Sequence, residues 1–401
     1  MNVSYIAIGH ELLLPGRRET NGDLLTALLF DHHLTLMSKA VVPDNVAAVC
    51  RQLETAGDGV VVLSGGLGPT QDDLTREALA AHLGVPLIFH EELWREIRAR
   101  FARRGIEPPE VNKRQAFLPE GAVPLHNSVG TAPGISIKTD RQIIFCLPGV
   151  PAEFHAILDA SVAPFFRGKA AVRLQRSTLR LSGCFESQVE QKIQPFYDSY
   201  GRDPLTILAG PGEITLHLRH SDPRIFALME RVLKDLVREW CFGGDPDTLE
   251  GCVVDLLGRG RKTLAAGESC TGGGLEARMV RVPGASDVFR GGVVAYSNEA
   301  KIRLLDVDVD LIRTRGAVSA EVALALAQGA RRALDATTGI GITGIAGPTG
   351  GTVEKPVGTV FTAVTGDGLE AVRRFRFSGD RIRVQTMAAA FSLDLLWRSL
   401  S

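Results

Sequence analysis

A serine in a glycine-rich turn is the first residue of this chain equipped for chemistry. Ser269 lies in Ala265-Ala266-Gly267-Glu268-Ser269-Cys270-Thr271-Gly272-Gly273-Gly274, after a short apolar run. Such a stretch reads as a strand, a tight turn and a helix start. That geometry can raise a hydroxyl above backbone N–H groups, as acyl transfer asks of a nucleophile and its oxyanion hole. The last histidine of the chain is His220, so a local Ser-His-Asp arrangement is excluded. The segment resembles a G-x-S-x-G elbow with threonine at its last glycine, and Gly272 stands where an S-x-x-K pattern needs lysine. By itself the turn also reads as a plain strand-to-helix connection in which Ser or Thr caps the helix.

Any base for Ser269 must come from a short list. Beyond Thr248 the only lysines are Lys262, Lys301 and Lys355. Lys262 begins the strand that ends at Ser269, which puts it at the wrong end of the sheet. Lys301 follows the apolar run 293–296, in the first turns of a helix opened by Ser297-Asn298-Glu299. That is the strand edge that meets Ser269. A partly desolvated lysine there loses its proton near neutral pH and can take the serine's; the plainer reading is a solvated helix lysine. Lys355, in Val353-Glu354-Lys355-Pro356, could pair with a substrate phosphate. The run 341–351, with Gly344 and Gly347, offers unobstructed N–H groups to an anion.

A second glycine-rich loop lies near the start. Ser64-Gly65-Gly66-Leu67-Gly68-Pro69-Thr70-Gln71-Asp72-Asp73-Leu74-Thr75 follows a buried run and opens a helix. Phosphate on the N–H groups of Gly65, Gly66 and Gly68 is the physical reading, with Asp72 or Asp73 free to hold a divalent cation. Thr70 and Asp73 have the spacing of a capping box. In the plainer reading both aspartates simply complement the helix dipole.

The elements that position these residues alternate between strand and helix patterns. Residues 3–8, 36–42 and 60–63 read as strands, and 21–30, 45–56 and 73–83 as helices. Residues 135–137 and 143–147 read as a hairpin. This predicts an α/β, parallel, doubly wound domain over 1–167, with ligands at the carboxyl ends of its strands. Residues 168–246 change texture: strand 172–181, helix 186–193, strand 214–218, helix 225–239. They suggest a small α+β, KH-like linker or dimerisation domain, without the G-x-x-G loop that grips RNA. Residues 247–401 read as a second α/β domain, with strands at 263–266, 293–296, 340–343, 357–364 and 372–377. Ser319 and Asp380 cap its later helices.

Hydrophobic residues make up 45% and charged residues 23% of the 401-residue chain, an ordinary globular composition for two or three domains. A formal net charge of -1 gives no electrostatic case for nucleic acid or a membrane surface. The six cysteines form no C-x-x-C pair and fit reduced thiols, so a cytoplasmic protein without a signal peptide is expected.

Several segments together resemble the C-terminal domain of the CinA family. They are Glu268-Ser269-Cys270-Thr271-Gly272-Gly273, Tyr296-Ser297-Asn298-Glu299-Ala300-Lys301, Gly316-Ala317-Val318-Ser319, Thr343-Gly344-Ile345-Ala346-Gly347-Pro348 and Lys355-Pro356-Val357-Gly358. That domain is known as a nicotinamide mononucleotide deamidase needing no cofactor. The resemblance implies that Ser269 attacks the carboxamide, that Lys301 is general base, and that Tyr296 and Thr343 assist. Cys270, Thr271, Gly272, Gly273, Gly344, Gly347, Lys355 and Arg381 would bind substrate. Arg383 competes with Arg381 for that place, and Gln385 stands where many relatives have another arginine.

The first loop resembles the molybdopterin-binding fold that CinA proteins share with molybdenum cofactor enzymes. Glu11, Asn21, Asp44, Asn127 and Gly130 fall on family motifs and join Gly65, Gly66, Gly68 and Thr70 in a nucleotide site. The resemblance implies ADP-ribose hydrolysis with a divalent metal (Mg, Mn or Co) on Asp72 or Asp73. His10 stands where the family usually has aspartate. A homodimer is the family expectation.

Overall fold

The computed structural model describes residues 1–103, 105–170 and 173–401. They form two compact units, Met1–Arg173 and Leu174–Ser401. Among the described residues no helix is long and apolar enough to cross a membrane.

The first unit carries strands β1 Val3–Ile8, β2 Leu36–Val42, β3 Gly59–Ser64, β4 Leu87–Phe89, β5 Phe117–Pro119, β6 Val123–Leu125, β7 Gly134–Lys138 and β8 Gln142–Leu147. Six of them form one sheet in the order β2-β1-β3-β8-β7-β6. The four strands β2, β1, β3 and β8 run parallel, and the β7–β8 hairpin turns the far side antiparallel. The expected parallel sheet is therefore mixed. Strand β1 is buried along its whole length, as a central parallel strand with both faces covered must be. Its alternate residues feed two cores: Ile6 and Ile8 join Val61 and Leu63 on one face, while Val3, Tyr5 and Ala7 join Val60 and Val62 on the other. Because β1 has β2 on one side and β3 on the other, the chain reverses direction across the sheet there. A cleft opens at such a point, at the strands' carboxyl ends.

The second unit begins with β9 Gln175–Ser182, helices Glu186–Lys192 and Gln194–Tyr200, β10 Leu205–Gly210, β11 Glu213–His220, helix Pro223–Val237 and β12 Cys241–Gly243. These strands form an antiparallel sheet in the order β10-β11-β9-β12. Sequence patterning finds only two of the four strands. The tip of β10 is exposed and β12 is three residues long, so neither carries a clear alternation. Val172, the expected start of the first strand, lies outside the described residues.

The remainder holds β13 Leu264–Glu268, β14 Phe289–Val294, β15 Thr338–Gly344, β16 Thr359–Gly366 and β17 Leu369–Arg376, in the order β14-β13-β15-β16-β17. Again a central strand, β13, lies parallel to a neighbour on each side, and β16 and β17 add antiparallel pairs. Strand β14 ends two residues earlier than the sequence suggests. Gly291 and Gly292 hide its first half, and residues 295–296 have already left the sheet. Helix Ala320–Ala333 lies tight on the sheet, since a side chain at Gly341 would run into the Ala323 carbonyl. The final helix, Arg381–Leu400, contributes a continuous buried face from Met387 to Leu396. The small antiparallel module docks on that helix: Ser182 Oγ donates to Asp394 Oδ1 (2.6 Å), Arg398 Nε donates to Asp394 Oδ2 (2.8 Å), and the Phe185 and Phe391 rings lie 5.4 Å apart.

Candidate active site

Ser269 and Thr343 lie at the carboxyl ends of β13 and β15, and Lys301 on helix Asn298–Leu305, which follows β14. Ser269, Cys270, Tyr296, Lys301, Thr343, Gly344 and Arg381 line one cavity of about 250 Å³, together with Asn298, Ala317, Val318 and Ala346. Strand polarity alone brings the serine and the chosen lysine into one cavity.

The nucleophile turn is built almost wholly from satisfied backbone groups. Ser269 N–H donates to the Ile342 carbonyl of β15 (3.0 Å), and Gly272 N–H donates back to the Ser269 carbonyl (3.2 Å). Glu268 is fully buried, and its carboxylate accepts from the N–H groups of Gly273 (3.0 Å), Leu275 (3.3 Å) and Glu276 (2.8 Å). It thereby caps helix Gly274–Met279 with a negative charge at the dipole's positive end. Gly272 and Gly273 take φ of 63° and 92°, which explains glycine at both. Their N–H groups are spent within the turn, and neither residue lines the cavity. Among the described residues, the turn amides left without an acceptor are those of Cys270 and Thr271. Thr271 is itself buried with its Oγ1 unpartnered and, like the two glycines, is not among the residues lining the cavity.

Lys301 is 2% exposed. Its Nζ donates to the carbonyls of Ala295 (3.0 Å) and Tyr296 (3.1 Å), the two residues that follow β14. Burial lowers its pKa from the ordinary lysine value, against the opposing pull of Cys270 and Glu299. With two hydrogens engaged, the third position of the nitrogen is the one that carries a lone pair in the neutral amine. The Cys270 thiol is pushed up to about 12, chiefly by burial, so it stays protonated and does not rival Ser269 as nucleophile.

Arg381 donates from Nη1 to the Gly347 carbonyl (2.8 Å) and from Nη2 to Tyr296 Oη (2.6 Å). Arg383 lines a different cavity with Phe185 and Phe377. Thr343 Oγ1 donates to the Ala317 carbonyl (2.8 Å), holding the loop that forms one cavity wall. Lys355 donates to the Arg315 carbonyl (2.8 Å) at the end of helix Val309–Arg315, and lies outside the cavity lining. Gly344 needs its missing side chain, which would collide with Val360 and Cys270. Sequence reasoning gave no role to Glu268, nor to Gln385, which it noted only in place of an arginine and whose Nε2 donates to the Cys270 carbonyl (2.8 Å). An acid just before a glycine-rich helix start was the available signal for the former.

The first unit has its own cavity, of about 700 Å³, at the carboxyl ends of β1, β2 and β3. Glu11, Asn21, Asp44, Gly65, Gly66, Gly68, Asp72 and Asp73 line it. Asn127 and Gly130 line a smaller cavity of about 100 Å³, where Asn127 Oδ1 accepts from Val129 and Gly130 N–H to shape a turn. Asp44 accepts from the His10 N–H (2.7 Å); burial first, then the charges of Glu11 and Asp72, raise its pKa. His10 therefore serves Asp44 through its backbone.

Asp73 is engaged as a clasp. It accepts from Gly68 N–H (2.8 Å) and from both the N–H (2.8 Å) and hydroxyl of Thr70. The helix begins only at Thr75, so the Thr70–Asp73 spacing marks a loop closure rather than a capping box. Behind it the buried Arg76 donates to the carbonyls of Leu67 (2.7 Å) and Gly68 (2.8 Å). Asp73 thus has both carboxylate oxygens engaged by groups of its own loop. Among the described residues no group of three or more His, Cys, Asp or Glu side chains is placed to hold a metal ion.

Residues 246–400 match the family described as "CinA C-terminal domain", and residues 4–168 match "Probable molybdopterin binding domain". The CinA-like protein of Koribacter versatilis is 39% identical over 415 residues, covering 100% of both chains. The CinA-like protein of Kosmotoga olearia is 36% identical over 408 residues, covering 100% of this chain and 99% of its own. A crystal structure titled as the protein CinA with unknown function, from Thermoplasma acidophilum, is 32% identical at a TM-score of 0.38, covering 41% of this chain and 96% of that one.

Proposed function

The chain belongs to the CinA family, and from that premise we propose that it converts nicotinamide mononucleotide to nicotinic acid mononucleotide and ammonia. The observation that carries this reading is a buried lysine with a depressed pKa sharing one cavity with Ser269. Ser269 Oγ attacks the carboxamide carbon while its proton passes to the neutral Lys301 amine. The carbonyl π pair moves onto oxygen, where the amides of Cys270 and Thr271 supply hydrogen bonds. Collapse expels ammonia, which takes the proton from Lys301. Water then adds to the acyl ester, giving one proton to Lys301; collapse returns that proton to Ser269 Oγ and frees the carboxylic acid, whose own proton passes to solvent to leave the carboxylate. Arg381 faces the substrate's phosphate. Ammonia release by wild type, Ser269→Ala and Lys301→Ala tests the scheme, and undiminished turnover in the serine variant would sink it.

For the first unit, the resemblance favours ADP-ribose pyrophosphatase chemistry. The clasping of Asp73 favours a second reading, a nucleotide- or molybdopterin-binding module without turnover; Gly68 N–H is spent on Asp73 and Gly65 N–H on the Leu147 carbonyl, so neither is free for the expected phosphate. ADP-ribose cleavage, with and without divalent metal, in wild type and Asp72→Ala separates the two. Metal-dependent turnover lost in the variant supports the pyrophosphatase; binding without turnover supports the module.

A further inference from the structure

We infer that Gln385 is a positioning residue that orients the oxyanion-binding peptide, an inference that rests on the deamidase reading of the same site. In a planar trans peptide the C=O and the N–H point in opposite directions, so holding one aims the other. Neither peptide of the Ser269-Cys270-Thr271 segment is cis. The Ser269 carbonyl is held by Gly272 N–H (3.2 Å), which aims the Cys270 N–H. The Cys270 carbonyl is held by Gln385 Nε2 (2.8 Å), a side chain 115 residues away, and that aims the Thr271 N–H. These are the two amides of the turn with no acceptor of their own among the described residues. One is thus aimed by the turn itself, and the other by a tether from another element.

That element is helix Arg381–Leu400, whose first residue reaches into the cavity with its guanidinium. Gln385 lies four residues on, on the same face of the helix. A single helix therefore both presents the cation that meets the substrate and fixes a donor for the transition state. The Asp380 side chain anchors its start by accepting from Arg383 N–H (2.8 Å). The demand on residue 385 is for an N–H donor, which glutamine and arginine both satisfy and an apolar or anionic side chain does not.

Steady-state ammonia release from nicotinamide mononucleotide tests this with Gln385→Met, Gln385→Arg and Gln385→Glu in the full chain. Removing a direct oxyanion donor costs about 100- to 1,000-fold in kcat; releasing one from its tether should cost less, about tenfold, with KM changed less than twofold. Gln385→Arg should recover most of that loss. Gln385→Glu should be the slowest at pH 8 and should gain relative to wild type as pH falls and the carboxyl regains a proton to donate, which a packing role would not produce. Wild-type kcat in Gln385→Met, or equal losses in the Met and Arg variants with no distinct pH profile for Glu, would overturn the inference. A wild type that releases no ammonia overturns the deamidase reading instead. In that event the rate of Ser269 labelling by a fluorophosphonate, whose P=O loads the same amides, still decides: slower labelling of Gln385→Met supports the tether, and equal rates refute it.

Discussion

Replacing Glu276 by glutamine should change how the stability of this protein depends on pH. The Glu276 carboxyl sits behind the nucleophile turn, with Oε1 buried and unpartnered, so close to Gly292 that a side chain there would run into it. Burial first, and then the charge of Glu268, push its pKa from 4.5 up to about 7. Between those values the folded protein keeps a proton that the unfolded chain has released. Folding is therefore progressively penalised as pH climbs from 4.5, and the full penalty is reached above pH 7. A displacement of that size is worth about 3 kcal/mol. Solvent screening of a half-buried group reduces it to about 1.5 kcal/mol. Glutamine is neutral throughout and escapes the penalty. For a unit of this length about 1.5 kcal/mol corresponds to roughly 3–6 °C in Tm. Calorimetric melts of wild type and Glu276→Gln at pH 5 and pH 8 should show the variant gaining on wild type by that amount at the higher pH. A gap that stays constant, or moves the other way, would refute the placement of the half-buried Glu276 carboxyl beside Glu268.

Three further outcomes are expected. Lys301→Arg keeps the charge but cannot shed its proton, so kcat should fall at least about 100-fold. In wild type kcat/KM should rise with pH through a lysine pKa held below 10.5 by burial, and a flat profile would argue against an amine base. Asp394→Asn weakens the buried junction with Ser182 and Arg398, and should cost about 2–3 kcal/mol in urea unfolding of the second unit, whereas a neutral result would show that the junction does not hold the module.

Much of the site was legible because strand polarity is a one-dimensional property. Once Ser269 is read at a strand's carboxyl end, Lys301 follows from a helix that starts after a neighbouring strand, and Lys262 is excluded. Other roles depend on contacts that spacing cannot encode. Gln385 meets Cys270 across 115 residues. Gly272 and Gly273 suggested anion-binding amides, but the buried Glu268 claims one and the Ser269 carbonyl the other, leaving the glycines to supply left-handed backbone. Asp73 shows the same limit. Three residues of separation suits a capping box and a loop clasp equally, and only the helix start at Thr75 distinguishes them. In the small module, β12 pairs with β9 through a shifted register over three residues, too short for any alternation to announce it.

The central claim is that Ser269 becomes acylated. Rapid acid quenching of the full-length protein during turnover of nicotinamide mononucleotide, followed by mass spectrometry of the Ser269 peptide, measures this directly. The expected result is a nicotinic acid mononucleotide ester on Ser269, absent from Ser269→Ala, which should also release no ammonia. Ammonia release at the wild-type rate by Ser269→Ala, with no adduct on the wild-type peptide, would contradict it.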